Sequence, residues 1–378
     1  MKIVFIEDGI YAYASGSPWA VGGSERSQWL LSRVLAAGGW SVTVGVREAM
    51  KMGAREVING VEFVGIGQGQ ILSAWYRFLS SERPDWLYWA GANHLWGPAV
   101  EIAKLVRVRT IFSVTCDLDV QPRHATLYRP RWWPLYAWGL SRADRIFVQH
   151  DQQLSRIPRR WRSKAYILPK VCIHPGTVGD IIAVKPHSER AKYVAWVAML
   201  GQLKRPDVLI EIARKAPGIH FVVCGGPTAL MSPSGYGERI VDELRITPNI
   251  EYLGQVPPDK AQQVIADAAL LLSTSDVEGF PNTFLQAWSS GTPVVSLKID
   301  PNRIIERMGL GVISGNAGRA VLDITVLMNS SERRDEISAR AVRYVAEAHN
   351  EAAVIRTFES ATRDATAHVP VPEFNSLH

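Results

Sequence analysis

Residues 275–296 read SDVEGFPNTFLQAWSSGTPVVS. The apolar run ALLLS (269–273) ends just before them, and a loop carrying Gly279 and Pro281 follows. A helical pattern opens near Asn282, a turn falls at Gly291, and TPVVSL (292–297) resumes as a strand. Strand, loop, helix and strand in this order form the unit from which parallel sheets are built. The same grammar runs upstream. YVAWVA (193–198) reads as a strand, Pro206 occupies a favoured first-turn position for the helix DVLIEIARKA, and HFVVCGG (220–226) and IEYLG (250–254) read as further strands.

The first half repeats the pattern. KIVFI (2–6) reads as a strand, followed by a Gly/Ser/Pro loop through GSPWAVGG (16–23). A helix is expected from Ser24 as N-cap, with Trp29, Leu30, Val34 and Leu35 on one side and Gly38-Gly39 as its end. SVTVGV (41–46), VEFVGI (61–66), DWLYWA (85–90), TIFSVT (110–115), IFVQH (146–150) and AYILP (165–169) are expected strands. Residues 174–192 read as a linker, and 332–365 as one long helical tail. The prediction is an α/β protein with two Rossmann-like, doubly wound domains facing across a cleft, where ligands of such sheets bind. The expected domains are residues 1–180, 181–345, and a C-terminal helix and tail over 346–378 that packs back on the first.

A chain of 378 residues with 47% apolar and 21% charged residues can bury two cores. No run approaches the roughly 18 apolar residues of a spanning helix. MKIVFIEDGI reads directly as a first strand rather than an apolar leader, so a cytoplasmic protein is expected. Cys116, Cys172 and Cys224 form neither a metal pattern nor a disulfide framework, and read as small core residues. The net charge of +6 is uneven: residues 121–170 carry eleven Lys/Arg against Asp144 and Asp151, which makes them +9. Trp132, Trp133, Trp138, Trp161, Tyr128 and Tyr136 lie among these cations. One reading is an anionic membrane surface met by residues 121–170, placing the protein peripherally on the inner face of the plasma membrane. The other is that these rings fill the first core beneath a solvated cationic face. No nucleic-acid recognition motif accompanies the charge, so nucleic acid is not an expected partner.

The loop at 278–283 is the strongest chemical signal. Gly279 lets backbone approach a ligand, and the opening turn of the helix offers amides to an anion. Glu278 beside them can accept hydrogen bonds from sugar hydroxyls. A carboxylate and open amides together suit a phosphorylated sugar, while an ordinary strand–loop–helix turn is the plain alternative.

Glu278, Gly279, Phe280, Pro281, Asn282, Ala287, Gly291, Pro293, Val294 and Val295 resemble the signature of the retaining family 4 glycosyltransferases of the GT-B fold. The family's Glu-x7-Glu is completed here by Gln286, whose amide carbonyl can still accept a ribose hydroxyl, without charge. WVAMLGQLKRPDVLIEIA (196–213) resembles the family's diphosphate loop. Lys204 fits its Lys, Met199 or Gly201 stands at its Arg, and Arg205 is a candidate replacement. VVCGGP (222–227), with Gly225, resembles the turn near the nucleobase, and Gly22-Gly23-Ser24-Glu25 resembles the glycine loop facing phosphates and acceptor.

The resemblance implies retaining transfer from a nucleotide sugar to a glycan or polyprenyl-linked acceptor in polysaccharide or glycoconjugate biosynthesis, with no cofactor and no metal. Glu278, Lys204, His94 and Asp117 are the implied catalytic set. The implied donor site is Gly22, Gly23, Lys204, Arg205, Gly225, Glu278, Gly279, Phe280, Pro281, Asn282, Thr283 and Gln286. His94, after an apolar strand, can be functional or structural. Asp117-Leu-Asp119 reads as a strand-end pair near the acceptor rather than a metal site, and Gly65-Ile-Gly67-Gln-Gly69 as a plain turn. The rival readings are a nucleotide-sugar epimerase of the same fold and a non-catalytic nucleotide-sugar-binding protein.

Overall fold

The computed structural model describes residues 1–125, 129–172, 184–228 and 232–363. The chain divides into two compact units. The first comprises Met1–Asp8, Leu31–Val171 and Glu351–His378, and the second Gly9–Leu30 and Cys172–Asn350. The expected boundary at 180, most of the linker 174–192, and Tyr128 lie outside the described residues. The later division falls after Asn350 rather than at 345.

The first unit is built on an eight-stranded sheet. Its strands are β1 (Lys2–Ile6), β2 (Ser41–Val46), β3 (Arg55–Ile58), β4 (Val61–Gly65), β5 (Trp86–Ala90), β6 (Arg109–Ser113), β7 (Arg145–Val148) and β8 (Ala165–Ile167), in the order β3-β4-β2-β1-β5-β6-β7-β8. All pairs are parallel except β3 with β4. That hairpin is absent from the strand expectations above. It turns on Asn59 and Gly60, both at positive φ (50° and 80°), the two-residue turn that Asn-Gly favours. The order reverses at β1/β5, so this is a doubly wound sheet.

The second unit carries a six-stranded, all-parallel sheet of β9 (Tyr193–Val197), β10 (His220–Cys224), β11 (Ile250–Gly254), β12 (Leu270–Ser273), β13 (Val294–Ser296) and β14 (Gly311–Ile313). Its order is β11-β10-β9-β12-β13-β14. Near-continuous apolar runs such as VAW (194–196) and LLL (270–272) are buried, as expected where helices cover both faces of a parallel sheet.

The helices are α1 (Asp8–Ala14), α2 (Gly23–Ala37), α3 (Ile71–Glu82), α4 (Trp96–Leu105), α5 (Trp133–Arg142), α6 (Asp151–Arg156), α7 (Pro206–Lys215), α8 (Tyr236–Ile246), α9 (Pro258–Asp267), α10 (Asn282–Ser289), α11 (Ile304–Met308), α12 (Ala317–Met328), α13 (Ser331–Ala348) and α14 (Glu351–Arg363). Three expectations need correction. The segment read as a loop after β1 contains α1. The helix expected from Ser24 starts at Gly23. The single long tail helix is two, α13 and α14, broken at His349-Asn350. The break follows from packing. Helix α13 buries Ala341, Tyr344 and Val345 in the second core, whereas α14 belongs to the first unit. There Phe358 packs edge-on against Trp40 at 5.3 Å and beside Phe147 at 5.3 Å.

No described helix is long and apolar enough to cross a membrane.

Candidate functional site

In the second unit the strand order reverses between β9 and β12, and the loops leaving these two strands carry the key residues. Lys204 lies on a short 3-10 turn after β9, Gln202–Lys204, and Glu278 on the loop after β12. They are 74 residues apart in sequence, and the fold joins them: the Lys204 ammonium donates to Glu278 Oε1. Ser275 Oγ donates to the same oxygen at 2.8 Å. Behind them, Thr274 Oγ1 donates to the Lys204 carbonyl at 2.7 Å and accepts from the Trp196 indole at 2.9 Å. Asp276 N donates to the Leu203 carbonyl at 2.9 Å. The two loops are thus stitched by backbone as well as by side chains. Lys204 and Glu278 retain 33% and 18% side-chain exposure, so both can reach a ligand.

Arg205 is differently placed. At φ 52° it precedes the first turn of α7, and its guanidinium grips Asp207 and Asp276. Lys298 pairs with the other oxygen of Asp276. Burial raises the Asp276 carboxyl, but hydrogen bonds from Lys298 and Arg205 outweigh it and hold the group below the ordinary carboxylate range. The Asp207 contact, with Asp276, raises the Arg205 guanidinium above its usual value. Arg205 therefore reaches any anion in competition with two carboxylates.

Gly225 stands at φ 150°, and a Cβ there would sit 1.7 Å from the Ala198 carbonyl, so the β10 turn closes onto the end of β9 only with glycine. Gly279 is buried between Glu278 and the turn, and Phe280 and Pro281 are buried beside it. Phe280 and Phe284 pack on Trp288 at 6.2 and 5.5 Å, anchoring α10 so that Asn282 and Thr283 of its first turn stay partly exposed. Asn282 Nδ2 donates to the Gly23 carbonyl and its Oδ1 accepts from Ser27 at 3.0 Å, which places the glycine loop beside the α10 start. Tyr13 donates to the Gly22 carbonyl at 3.2 Å. Glu25 and Arg26 follow in this loop. Burial raises the Glu25 carboxyl and lowers the Arg26 guanidinium. Gln286 is 8% exposed, one turn into α10, and Gln262 donates to its backbone carbonyl.

His94 and Asp117 lie in the first unit and share no contact with each other among the described residues. Asp117 Oδ1 accepts from Gln153 at 2.9 Å and meets His150 Nε2 at 3.1 Å, and its Oδ2 accepts from Arg156 at 2.8 Å. Burial would raise this carboxyl, but the His150 and Gln153 bonds dominate and lower it. Asp119 is buried and receives the Thr115 and Cys116 amides at 2.8 and 3.0 Å; burial nevertheless raises it. The Asp-x-Asp pair is thus split between a charged cluster and a strand-end cap. His94 faces the Trp132 ring at 6.2 Å, and burial, then the Arg129 charge, lower its basicity. The His150, Gln153 and Arg156 partners went unread in the sequence, where QHDQQLSR carries no pattern beyond a strand end.

The basic segment divides. Tyr136 and Trp161 are buried, while Trp132 and Trp138 are 48% and 51% exposed. Lys164 donates to the carbonyls of Leu140, Ser141 and Ala143 at the end of α5, Arg142 pairs with Glu101, and Arg145 donates to the Ala361 carbonyl. A good part of that charge holds the first unit together.

Residues 179–343 match the family model described as glycosyl transferases group 1, and residues 22–167 match the glycosyl transferase 4-like domain. The chain is similar to the D-inositol 3-phosphate glycosyltransferase of Mycolicibacterium smegmatis, 28% identical over 63% of this chain and 59% of that protein. The one from Mycobacterium leprae is 29% identical over 55% and 52%. The chain spans about half the length of these curated relatives. Among solved structures, sucrose-phosphate synthase from Thermosynechococcus elongatus superposes with a TM-score of 0.71 at 14% identity, over 96% of this chain and 98% of that one. HepE of Anabaena, in complex with UDP and glucose, gives 0.71 at 15% over 96% and 99%. At such identities the likeness is one of fold, and the fold is GT-B.

Proposed function

Since the chain belongs to the group 1 glycosyltransferases, we propose that it moves a sugar from a nucleotide sugar to an acceptor hydroxyl, with the donor held at the β9/β12 reversal of the second unit. The observation that carries this reading is the meeting of Lys204 and Glu278 where ligands of open parallel sheets bind. In the free protein the two satisfy each other. A partly exposed ion pair of this kind is worth only about 0–1 kcal/mol. Charge-assisted hydrogen bonds to a ligand are worth about 1.5–3 kcal/mol each. A donor therefore opens the pair at a net gain, Lys204 turning to the diphosphate and Glu278 to the sugar hydroxyls. The α10 first turn at Asn282-Thr283 adds backbone dipoles facing the same phosphates.

In the proposed reaction the bond from the anomeric carbon to the diphosphate oxygen breaks as the acceptor oxygen bonds to that carbon on the same face. The acceptor proton passes to the departing phosphate oxygen. No covalent intermediate is invoked, and configuration is retained. Lys204 and the amides stabilise the charge that grows on the leaving group, where preorganised donors contribute most. HepE's complex with UDP-glucose supports a uridine nucleotide as the first donor to try. A glycan or lipid-linked acceptor, in polysaccharide or glycoconjugate synthesis, follows from the family. So does a position in the cytoplasm or at its membrane face, which the exposed Trp132 and Trp138 support.

The test is release of nucleoside diphosphate from a panel of UDP-, GDP- and ADP-sugars incubated with the full chain. Turnover with one donor class, lost in Glu278→Ala while the melting temperature holds, is the expected result. The absence of both turnover and thermal stabilisation with every donor of the panel contradicts the reading.

A further inference from the structure

Thr274 follows the last residue of β12 and is 2% exposed. Its hydroxyl has one proton to give. The buried Trp196 indole N–H donates to that hydroxyl at 2.9 Å. An indole N–H accepts nothing, so the hydroxyl proton has to point elsewhere. It points to the Lys204 carbonyl, at 2.7 Å. Trp196 belongs to β9, the strand that leads into the Lys204 turn. One strand thus reaches across to the other, and the other reaches back to the turn.

The bonded carbonyl belongs to the peptide joining Lys204 to Arg205, and that peptide is held in an unfavourable orientation. Arg205 sits at φ 52° and ψ 52°, left-handed for a residue with a Cβ, where the residue opening a helix is ordinarily extended. Rotating the peptide changes ψ of Lys204 and φ of Arg205 together. Turning the Lys204 carbonyl away from Thr274 therefore releases Arg205 to negative φ. Two bonds oppose this: the one from Thr274, and the longer one from the Arg205 amide to the Gln202 carbonyl at 3.2 Å. Backbone strain persists only where the surroundings hold it, and functional loops are where it collects.

The neighbouring link does not depend on the hydroxyl. The Asp276 amide donates to the Leu203 carbonyl at 2.9 Å, so the two loops stay joined without Thr274 Oγ1. Loss of that oxygen gives the Lys204–Arg205 peptide a second orientation without separating the loops. The Lys204 ammonium, which meets Glu278 here, is then presented from this orientation for only part of the time.

We propose that Thr274 is a positioning residue for Lys204. Its hydroxyl, aimed by the Trp196 indole, holds the Lys204–Arg205 peptide in the strained orientation from which the ammonium reaches the diphosphate of the donor. The part concerning the diphosphate rests on the glycosyl-transfer reading; the part concerning the peptide does not.

The experiment compares wild type with Thr274→Val, which keeps the shape and removes the hydroxyl, and with Thr274→Ser, which keeps the hydroxyl. Calorimetry reads affinity for UDP, GDP and ADP, each beside its nucleoside, and the diphosphate that binds wild type is carried through the variants. Thr274→Val should bind it about fivefold more weakly and bind the nucleoside within about twofold of wild type, while Thr274→Ser matches wild type for both. In a Lys204→Ala background Thr274→Val should weaken the diphosphate no further, because both changes act through one ammonium. Thr274→Ala serves where Thr274→Val does not fold. Without ligand, amide hydrogen exchange over residues 199–206 should quicken in Thr274→Val and not in Thr274→Ser. The proposal is overturned if Thr274→Val binds the diphosphate as wild type does, if it loses diphosphate and nucleoside equally, or if Thr274→Ser is as weak. An undiminished loss in the Lys204→Ala background, or unchanged exchange in Thr274→Val, also overturns it. If no nucleoside diphosphate binds wild type, the donor reading fails together with the diphosphate part, and the exchange measurement decides the peptide part.

Discussion

The two units use the same sheet architecture and present very different sites. In the second, the candidate donor-site groups come from two adjacent loops at one strand reversal, and the fold brings Lys204, Ser275 and Glu278 into direct contact. In the first, the charged groups are dispersed. Asp117 is absorbed into a cluster with His150, Gln153 and Arg156, and His94 sits against Trp132. Glu278 and Lys204 each lie in a short contiguous motif, whereas the partners of Asp117 come from a separate segment of the first unit.

The largest effect expected from this contrast is at Glu278. Glu278→Ala should lower kcat/KM at least about a hundredfold, the loss of two or more charge-assisted bonds, with little change in melting temperature. Asp117→Ala gives the matching measurement in the first unit. It strands Arg156 and His150, so the account expects a stability loss of about 1–3 kcal/mol, read by denaturant unfolding, to exceed any loss of donor affinity. Equal collapse of donor affinity in both variants would erase the distinction between the units.

Next in size is a pH effect confined to the second unit. His187 is buried beside Arg190 and Arg334 and meets the Gly291 carbonyl at 2.9 Å; burial first, then the Arg190 charge, lower it to about 4 from 6.5. The unfolded chain takes up a proton below about pH 6.5 and the folded unit only near 4, so stability rises with pH between these values and is lost as pH falls through the window. The shift corresponds to about 3 kcal/mol. Urea unfolding of wild type and His187→Gln across this window should show the slope shrink in the variant; an unchanged slope assigns it elsewhere.

Smaller still is Arg205. Because Asp207 and Asp276 already hold its guanidinium, Arg205→Ala should weaken donor binding only a few-fold, about 1 kcal/mol or less. The smallest effect is at Gln286, where Gln286→Glu should leave donor affinity within about threefold of wild type or improve it. A collapse there would mean the residue does not face the ribose.

The second unit was the more legible in sequence for a physical reason. Its apolar strands end directly at glycine- and proline-marked loops, and those loops carry the candidate site, so reading SDVEGFPN and MLGQLKRP in order already names Glu278 and Lys204. What the sequence could not supply was their contact, which depends on β9 and β12 being neighbours across the reversal. In the first unit the Asn59-Gly60 hairpin has a local signal, since Asn-Gly is the pair that a two-residue turn favours. Helix α1, DGIYAYA, carried almost none: a glycine and two tyrosines in seven residues with one buried position leave no periodicity. Helix α14 is amphipathic, but nothing local tells which core receives Phe358, because that choice lies with Trp40, Tyr88 and Phe147, each more than 200 residues away.

The measurement that tests the central claim most directly is calorimetric binding of a nucleoside diphosphate and its parent nucleoside, UDP and uridine first, to wild type and Lys204→Ala. In the proposed complex Lys204 contacts the diphosphate. It predicts that the variant loses about tenfold or more in affinity for the diphosphate while binding the nucleoside nearly as well as wild type. Equal losses for both ligands, or none for either, would contradict a donor site at the β9/β12 reversal.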